Sequence, residues 1–277
     1  MMSEINANAR SMAKLTVSIL TLNEEKMLPA ALASVAWADE ILVTDSGSTD
    51  RTVEIASAAG ARVLFRAFDD YSAQHNWAFG QVTNPWILVL DADEVVDDEL
   101  ACSIKEILTS GPKYGVYAVV RDAFVLGQRM RSTAWSNARL PRLFKKEAMQ
   151  YSGMVHQIPE YGERKVGLLK GRLLHYTYRD MEQFFKKFQH FTSLWAKDQY
   201  AKGRRVNLVY CTFSSIWRFF HNYFFRRGFL DGRTGFILSV LAMAYTFVKY
   251  IKLWDLNRQD SQRRQPEVVG SGKDAKT

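Results

Sequence analysis

Asp91 and Asp93 close the apolar run Trp86-Ile87-Leu88-Val89-Leu90 with two carboxylates one residue apart. An Asp-x-Asp pair at the carboxyl end of a buried strand stands at the sheet edge, where it can share a divalent cation and a nucleotide diphosphate. Acids after a strand also cap helices, and Asp97 or Asp98 is placed to cap the segment that follows. A second acid, Asp45, ends another apolar run and leads into Ser46-Gly47-Ser48-Thr49-Asp50, a turn suited to hydrogen-bonding a base or ribose. In that turn Asp50 or Thr49 could instead cap the next helix. A third polar cluster, Thr21-Leu22-Asn23-Glu24-Glu25, follows the first apolar run.

These clusters need a scaffold that brings them to one edge. Leu15–Thr21, Glu40–Thr44, Arg62–Phe65 and Trp86–Leu90 read as short strands separated by helical patterns, the rhythm of a parallel, doubly wound α/β sheet. Ligands of such sheets bind outside the carboxyl ends of the strands, where all three polar clusters fall. Beyond Gly111-Pro112, further strands are expected at Tyr114–Arg121, Arg142–Phe144 and Arg172–Tyr176, an acceptor-side half of the same domain. From about Asp180, Met181, Phe184, Phe185, Phe188, Phe191 and Trp195 recur at helical spacing, with Lys186, Lys187 and Lys197 opposite. The expected organisation is a disordered N-terminus over 1–14, an α/β domain over 15–178, an amphipathic helical region over 179–256 and a disordered tail over 257–277.

Charge separates the same regions. The formal net charge is +8, but residues 1–175 hold 19 Lys and Arg against 21 Asp and Glu, whereas residues 176–277 hold 18 against 8. A cation excess confined to one half points to a polyanionic partner for that half. Aromatic residues interleave with those cations, as in Phe219-Phe220, Tyr223-Phe224-Phe225 and Arg226-Arg227, which suits a phospholipid headgroup boundary better than nucleic acid. The uncharged stretches Val206–Trp217 and Thr234–Val248 fall short of the roughly 20 apolar residues that span a bilayer, so the region is expected to lie on the membrane, with Thr234–Trp254 facing lipid. For the stripe Met181–Trp195, packing on the domain or self-association into a homo-oligomer is the open alternative. Two distant cysteines exclude a disulfide framework and a cysteine zinc site, and the polar N-terminus lacks a secretory signal, so a reducing cytoplasm is the expected compartment.

The three polar clusters, Asn23-Glu24-Glu25, Asp45-x-Gly47-Ser48-x-Asp50 and Asp91-x-Asp93, resemble in type and order those of glycosyltransferase family 2. The likeness is nearest to the lipopolysaccharide core β-1,4-glucosyltransferase group, through Gln74-His75-Asn76, Asp91-Ala92-Asp93-Glu94, Gly153-Met154-Val155-His156, Gly228–Gly232 and Lys249–Trp254. It spans roughly residues 15–255. The resemblance implies a GT-A fold, a mostly parallel sheet flanked by helices. It also implies transfer of glucose or a related hexose from a nucleotide sugar, uridine-linked, to a cell-envelope glycolipid or lipopolysaccharide core. By the same likeness Thr21, Asn23, Glu24 and Asp45 would contact the nucleoside and Asn76 would belong to the donor site. Asp91 would meet the ribose or diphosphate, Asp93 a Mg²⁺ or Mn²⁺, with Asp91 as its partner ligand, and Glu94 would sit on the acceptor side.

Two residues depart from the pattern: His75 stands where Arg or Lys is common, and Gln157 follows His156 where Glu is common. Inversion at the anomeric carbon needs a base within reach of the acceptor hydroxyl, and glutamine cannot remove that proton. His156, Glu160 and Glu94 are the candidate bases. A polyprenyl-phosphate sugar synthase of the same fold is the rival enzyme. A nucleotidyltransferase would want glycines in the first loop, where Thr21–Glu25 has none. A basic membrane-binding adaptor would leave the acidic clusters unexplained.

Overall fold

The computed structural model describes residues 13–132, 136–153, 158–178 and 181–263. The chain forms two compact units, one up to residue 179 and one from residue 180.

In the first unit, β1 (Leu15–Thr21), β2 (Glu40–Asp45), β3 (Arg62–Phe65) and β4 (Trp86–Asp91) form the parallel sheet expected of the first ninety residues, in the order β3-β2-β1-β4. Alternate residues go to opposite faces. Val17, Ile19, Val43, Leu88 and Leu90 pack under α1 (Leu28–Ser34), α2 (Thr52–Ala58) and α4 (Asp98–Ser110). Leu42, Ile87 and Val89 pack under α3 (Tyr71–Gln81), whose Ala78 and Phe79 join the same cluster. With helices on both faces the central strands β1 and β4 are buried along almost their whole length and read as largely apolar runs, whereas the edge strand β3 leaves Phe65 exposed.

The second half of the sheet is mixed, continuing β4-β8-β6-β11-β5. Here β8 (Ala138–Lys145) runs antiparallel to both β4 and β6 (Val116–Val125), while β11 (Val166–Tyr178) is parallel to β6 and antiparallel to β5 (Glu94–Val96). The connections explain the change. Leu126 and Gly127, at φ 50° and 77°, make a two-residue turn that returns β6 into β7 (Gln128–Arg129), and no crossover helix is needed. At Gly171, φ 83°, a register shift lets the amino end of α4 press on β11, where a Cβ would lie 2.1 Å from the Leu100 nitrogen. Asp97 locks that approach: one carboxylate oxygen accepts from Leu100 N–H (2.8 Å) as the helix cap and the other from Arg172 N–H (2.9 Å). A separate pair, β9 (Gln150–Ser152) and β10 (Ile158–Glu160), lies off the main sheet.

The second unit is helical, with α5 (Met181–Ala201), α6 (Leu208–Phe220), a π-helical turn over His221–Phe225, a 3-10 turn over Gly228–Asp231 and α7 (Gly232–Arg263). Both α5 and α6 pack on α7. Residues 257–263, expected to open a disordered tail, are helical. They are held by polar contacts that apolar periodicity does not register: Arg205 donates to Asn257 Oδ1 (2.9 Å) and pairs with Asp260 (3.1 Å). Among the described residues one helical stretch, Gly228–Gln262, is long and apolar enough to cross a membrane by length and composition.

Candidate active site

The strand order reverses between β1 and β4, and the crevice outside their carboxyl ends is where such sheets take ligands. Register fixes the spacing there. Thr21 pairs with Asp45 and Leu20 with Asp91, so the two acids stand at one edge, two strands and about 10 Å apart at the backbone.

The Asp45 side of this edge is laced by hydrogen bonds. Asp45, 4% exposed, accepts the N–H groups of Gly47 and Ser48 on Oδ2 (both 2.9 Å) and the hydroxyls of Ser48 and Thr21 on Oδ1. Asn23, at φ 55°, accepts Thr49 N–H (2.8 Å) and donates its own N–H to Ser48 Oγ (2.8 Å). Glu24 N–H donates to Thr52 Oγ1 (2.8 Å), and Asp50 accepts Thr52 N–H (3.0 Å) at the start of α2. Thr21, Asn23, Glu24 and Asp45 are thus brought together as the sequence suggested. Asp45 meets four donors of its own loops, which accounts for the acid as the organiser of two adjacent loops.

The Asp91 side is held by charge. Arg142, on β8 and 5% exposed, donates to Asp91 Oδ2 (2.7 Å) and to Glu94 Oε1 (3.1 Å), and Arg121 of β6 stands 3.7 Å from the same Glu94 oxygen. Glu94 Oε2 accepts the N–H of Asp91 (3.0 Å). Burial would raise the Asp91 carboxyl, but the Arg142 guanidinium holds it well below the ordinary carboxylate range. Burial wins at Glu94 and pushes it up. The Asp91 side chain keeps a face open at 37% exposure, whereas Glu94 is fully enclosed.

Asp93 lies beyond this clamp. The antiparallel pairing of β5 with β11 sets Glu94 opposite His175, and Tyr176 N–H donates to the Asp93 carbonyl (2.9 Å). His175 Nε2 consequently stands 3.4 Å from Asp93 Oδ1, with its Nδ1 against the Thr177 hydroxyl (3.0 Å). Tyr71, from the first turn of α3, faces the same acids, and burial followed by Asp91 and Asp93 raises its phenol. His75, 1% exposed, packs on Phe79 and Tyr151 at ring distances of 5.8 and 5.1 Å. Burial lowers its imidazole to about 4, with Asp91 opposing and Arg142 assisting, and its buried Nδ1 has no hydrogen-bond partner.

Three expectations need correction. Asn76 is not turned to a donor site, because its amide accepts Tyr151 N–H (2.9 Å) and donates to Tyr151 C=O (2.7 Å), joining α3 to β9 as a strand neighbour would. Glu94 is not placed as a base on an acceptor, since it is enclosed beneath Asp91 and paired with Arg142. Glu160 is exposed on β10 and lines a cleft of about 450 Å³ with Asn76, Lys146, Gln150 and Arg164, in whose lining Asp45, Asp91 and Asp93 take no part. His156 and Gln157 lie outside the described residues. Reasoning from sequence missed Arg142, Arg121, His175, Tyr71 and the burial of His75. Arg142 and His175 both fall in runs recognised as strands, yet only long-range pairing reveals what they face.

Among the described residues no three or more His, Cys, Asp or Glu side chains gather into a set that could hold a metal. The facing Asp93 carboxylate and His175 imidazole do fit part of a Mg²⁺ or Mn²⁺ shell, which phosphate oxygens and water would complete. The His175 imidazole is also among the charges that act on Asp91.

A chain with this sheet, these loops and this acidic edge belongs to glycosyl transferase family 2, whose family model matches residues 16–161. It is a glycosyltransferase with a GT-A-type sheet flanked by helices and a long apolar C-terminal helix. It is similar to an uncharacterized glycosyltransferase of Rickettsia prowazekii, 31% identical over 259 residues, covering 89% of this chain and 88% of that protein. It is also similar to the lipopolysaccharide core biosynthesis glycosyltransferase LpsC of Rhizobium meliloti, 28% identical over 250 residues, covering 87% of this chain and 92% of that one. Among solved structures, S. aureus TarS 1–349 aligns over 91% of this chain and 92% of its own, at 14% identity and a TM-score of 0.44. Glucosyl-3-phosphoglycerate synthase of Mycobacterium tuberculosis, solved with Mn²⁺, UDP and phosphoglyceric acid, aligns over 64% of this chain and 75% of its own at 17% identity and a TM-score of 0.45.

Proposed function

We propose that this glycosyltransferase moves a hexose, glucose or a close relative, from a uridine-linked donor to a hydroxyl of a lipopolysaccharide core or related envelope glycolipid, with inversion. The observation that carries the reading is the Asp93–His175 pair, 3.4 Å apart, two residues beyond Asp91, which ends β4 at the switch point two strands from Asp45. The likeness to LpsC supports the acceptor class.

In this reading the nucleoside lies on the loop that Asp45, Thr21 and Asn23 shape, and its diphosphate crosses toward Asp91 and Asp93. Asp93 and His175 would hold a Mg²⁺ or Mn²⁺, which supplies charge neutralisation for the departing diphosphate. Arg142 keeps Asp91 ionised and aimed, and Glu94 fixes the backbone turn between the two aspartates through Asp91 N–H. The enclosure of Glu94 and the placing of Glu160 in a cleft that the three aspartates do not line favour His156 as the base that removes the acceptor proton. The enzyme works at the cytoplasmic side of the inner membrane, held there peripherally by its second unit.

The test is a donor panel: purified protein, Mg²⁺ or Mn²⁺ and a set of sugar nucleotides, reading released nucleoside diphosphate with core oligosaccharide or polyprenyl phosphate as acceptor. Turnover of a uridine-linked hexose onto the oligosaccharide is the expected result. Turnover confined to polyprenyl phosphate would replace the acceptor assignment.

A further inference from the structure

The exposed large apolar side chains of the second unit are concentrated on one element. Along α6 and the π-helical turn, Val209, Phe213, Trp217, Phe220 and Phe224 follow at intervals of four, four, three and four residues, each between 46% and 68% exposed. That spacing is a single helical stripe. The other side of the same helix and turn carries Cys211, Ser215 and Asn222, all buried, consistent with the packing of α6 on α7. Exposed Phe225, Phe229 and Phe236 extend the apolar surface through the 3-10 turn into the start of α7. Over residues 204–237 there are six arginines and one acid, Asp231, which is 2% exposed. A continuous aromatic stripe with arginines around it and no exposed acid complements an anionic lipid surface.

The expectation that Thr234–Trp254 faces lipid fares differently. From Leu238 onward, Leu238, Thr246, Tyr250, Leu253 and Asn257 are buried at helical spacing, and Phe247 is the one exposed large apolar residue of α7 beyond Ile237. Lys252 Nζ donates to Gln189 Oε1 (3.0 Å), Thr192 Oγ1 (2.8 Å) and Ser193 Oγ (2.8 Å) of α5. Lys249 lies 4.5 Å over the Trp195 ring, and Asp260 is paired with Arg205. The uncharged stretch Thr234–Val248 is about 23 Å of helix, against roughly 30 Å of hydrocarbon to be crossed. A spanning α7 would have to draw Lys249 and Lys252 into lipid and abandon these contacts.

We infer that α6 and the turn after it lie in the plane of an anionic bilayer, with the Val209–Phe224 stripe in the headgroup boundary and α7 behind it rather than across the membrane. This rests on the reading that the enzyme works at a membrane surface, and specifies which face docks and how. The arginines at 218, 226, 227 and 233 are placed along the same segment to meet lipid phosphates.

The experiment uses the full chain and vesicles of phosphatidylcholine alone or mixed with phosphatidylglycerol, with a triple variant, Phe213→Ser, Trp217→Ser and Phe224→Ser. These side chains are exposed, so melting temperature is expected to hold. Wild type should co-sediment with the anionic vesicles only, release at high salt or alkaline pH, and lose at least ~10-fold in partition in the triple variant. Wild type that binds no vesicle overturns both the membrane reading and this inference. Equal binding by the triple variant, or wild type that resists alkaline extraction, overturns the inference and leaves the membrane reading standing. A wild-type dimer that the triple variant dissolves, with no vesicle binding, assigns the stripe to a second copy and overturns it too.

Discussion

Two sets of acids share one edge of the sheet, about 10 Å apart, and are stabilised by different physics. Asp45 meets only hydrogen-bond donors, two amides and two hydroxyls of neighbouring loops. Asp91 and Glu94 meet a buried guanidinium, with a second one near Glu94. Neutral donors shape a loop and leave the local charge negative, whereas buried ion pairs hold charges in fixed places at the risk of large losses if one partner goes. The first arrangement suits a platform for an uncharged base and ribose. The second suits the aiming of carboxylates at a cation and phosphates. Asp93 faces the His175 imidazole, which is why a cation is proposed there.

The contrast is sharpened first by activity. Asp93→Asn is expected to lower turnover by about 10³-fold, on the order of 4 kcal/mol of transition-state stabilisation. Its melting temperature should stay near wild type, and a steady-state assay of nucleoside diphosphate release alongside calorimetry checks both. Next comes the charge clamp. Arg142→Met strands a fully enclosed Glu94 and a partnered Asp91, so a loss of about 3–5 kcal/mol is expected in urea unfolding at neutral pH. Adding Glu94→Gln should recover part of it, and failure to do so would break the claim that this side depends on buried charge.

His75 gives a pH signature to the same pocket. Its folded-state value near 4 lies below the unfolded 6.5, so its contribution is complete above pH 6.5 and is lost as pH falls toward 4. The unfolded chain takes the proton first, and the loss amounts to about 3 kcal/mol by pH 4. The stability difference between wild type and His75→Gln should therefore change across that window and be flat above it. Asp45→Asn is the mildest of the set, with a cost of about 1–2 kcal/mol because some of the four hydrogen bonds survive on the amide. A loss as large as that of Arg142→Met would erase the distinction between the two sides.

The parts legible in the sequence were those that local pattern dictates. β1 and β4 announce themselves because both faces are buried, β2 and β3 because short apolar runs alternate with helical patterns, and the loops after β1, β2 and β4 carry residues that gather where strand ends must gather. A cap at Asp97 or Asp98 was readable because capping is a contact three residues long, and it is Asp97 that makes it. The mixed half was not readable in the same way, since nothing local tells β5 to pair with β11 and thereby set His175 beside Asp93. Arg142 illustrates the same limit: it opens an apolar run, and only the placement of β8 beside β4 makes it the partner of Asp91. Asn76 was misjudged because a side-chain amide that imitates a backbone pairing partner has no sequence signature. In the second unit, apolar composition pointed to α7 as the lipid-facing element, but α5 and α6 pack on that helix and the exposed stripe lies on α6.

The central claim is that Asp93 and His175 hold a cation together with a nucleoside diphosphate. Paramagnetic resonance of free Mn²⁺, titrated into protein with and without UDP, tests it directly. Wild type should withdraw one equivalent of Mn²⁺ only when UDP is present, and Asp93→Asn and His175→Ala should each withdraw far less. Undiminished Mn²⁺ uptake by Asp93→Asn in the presence of UDP would contradict it.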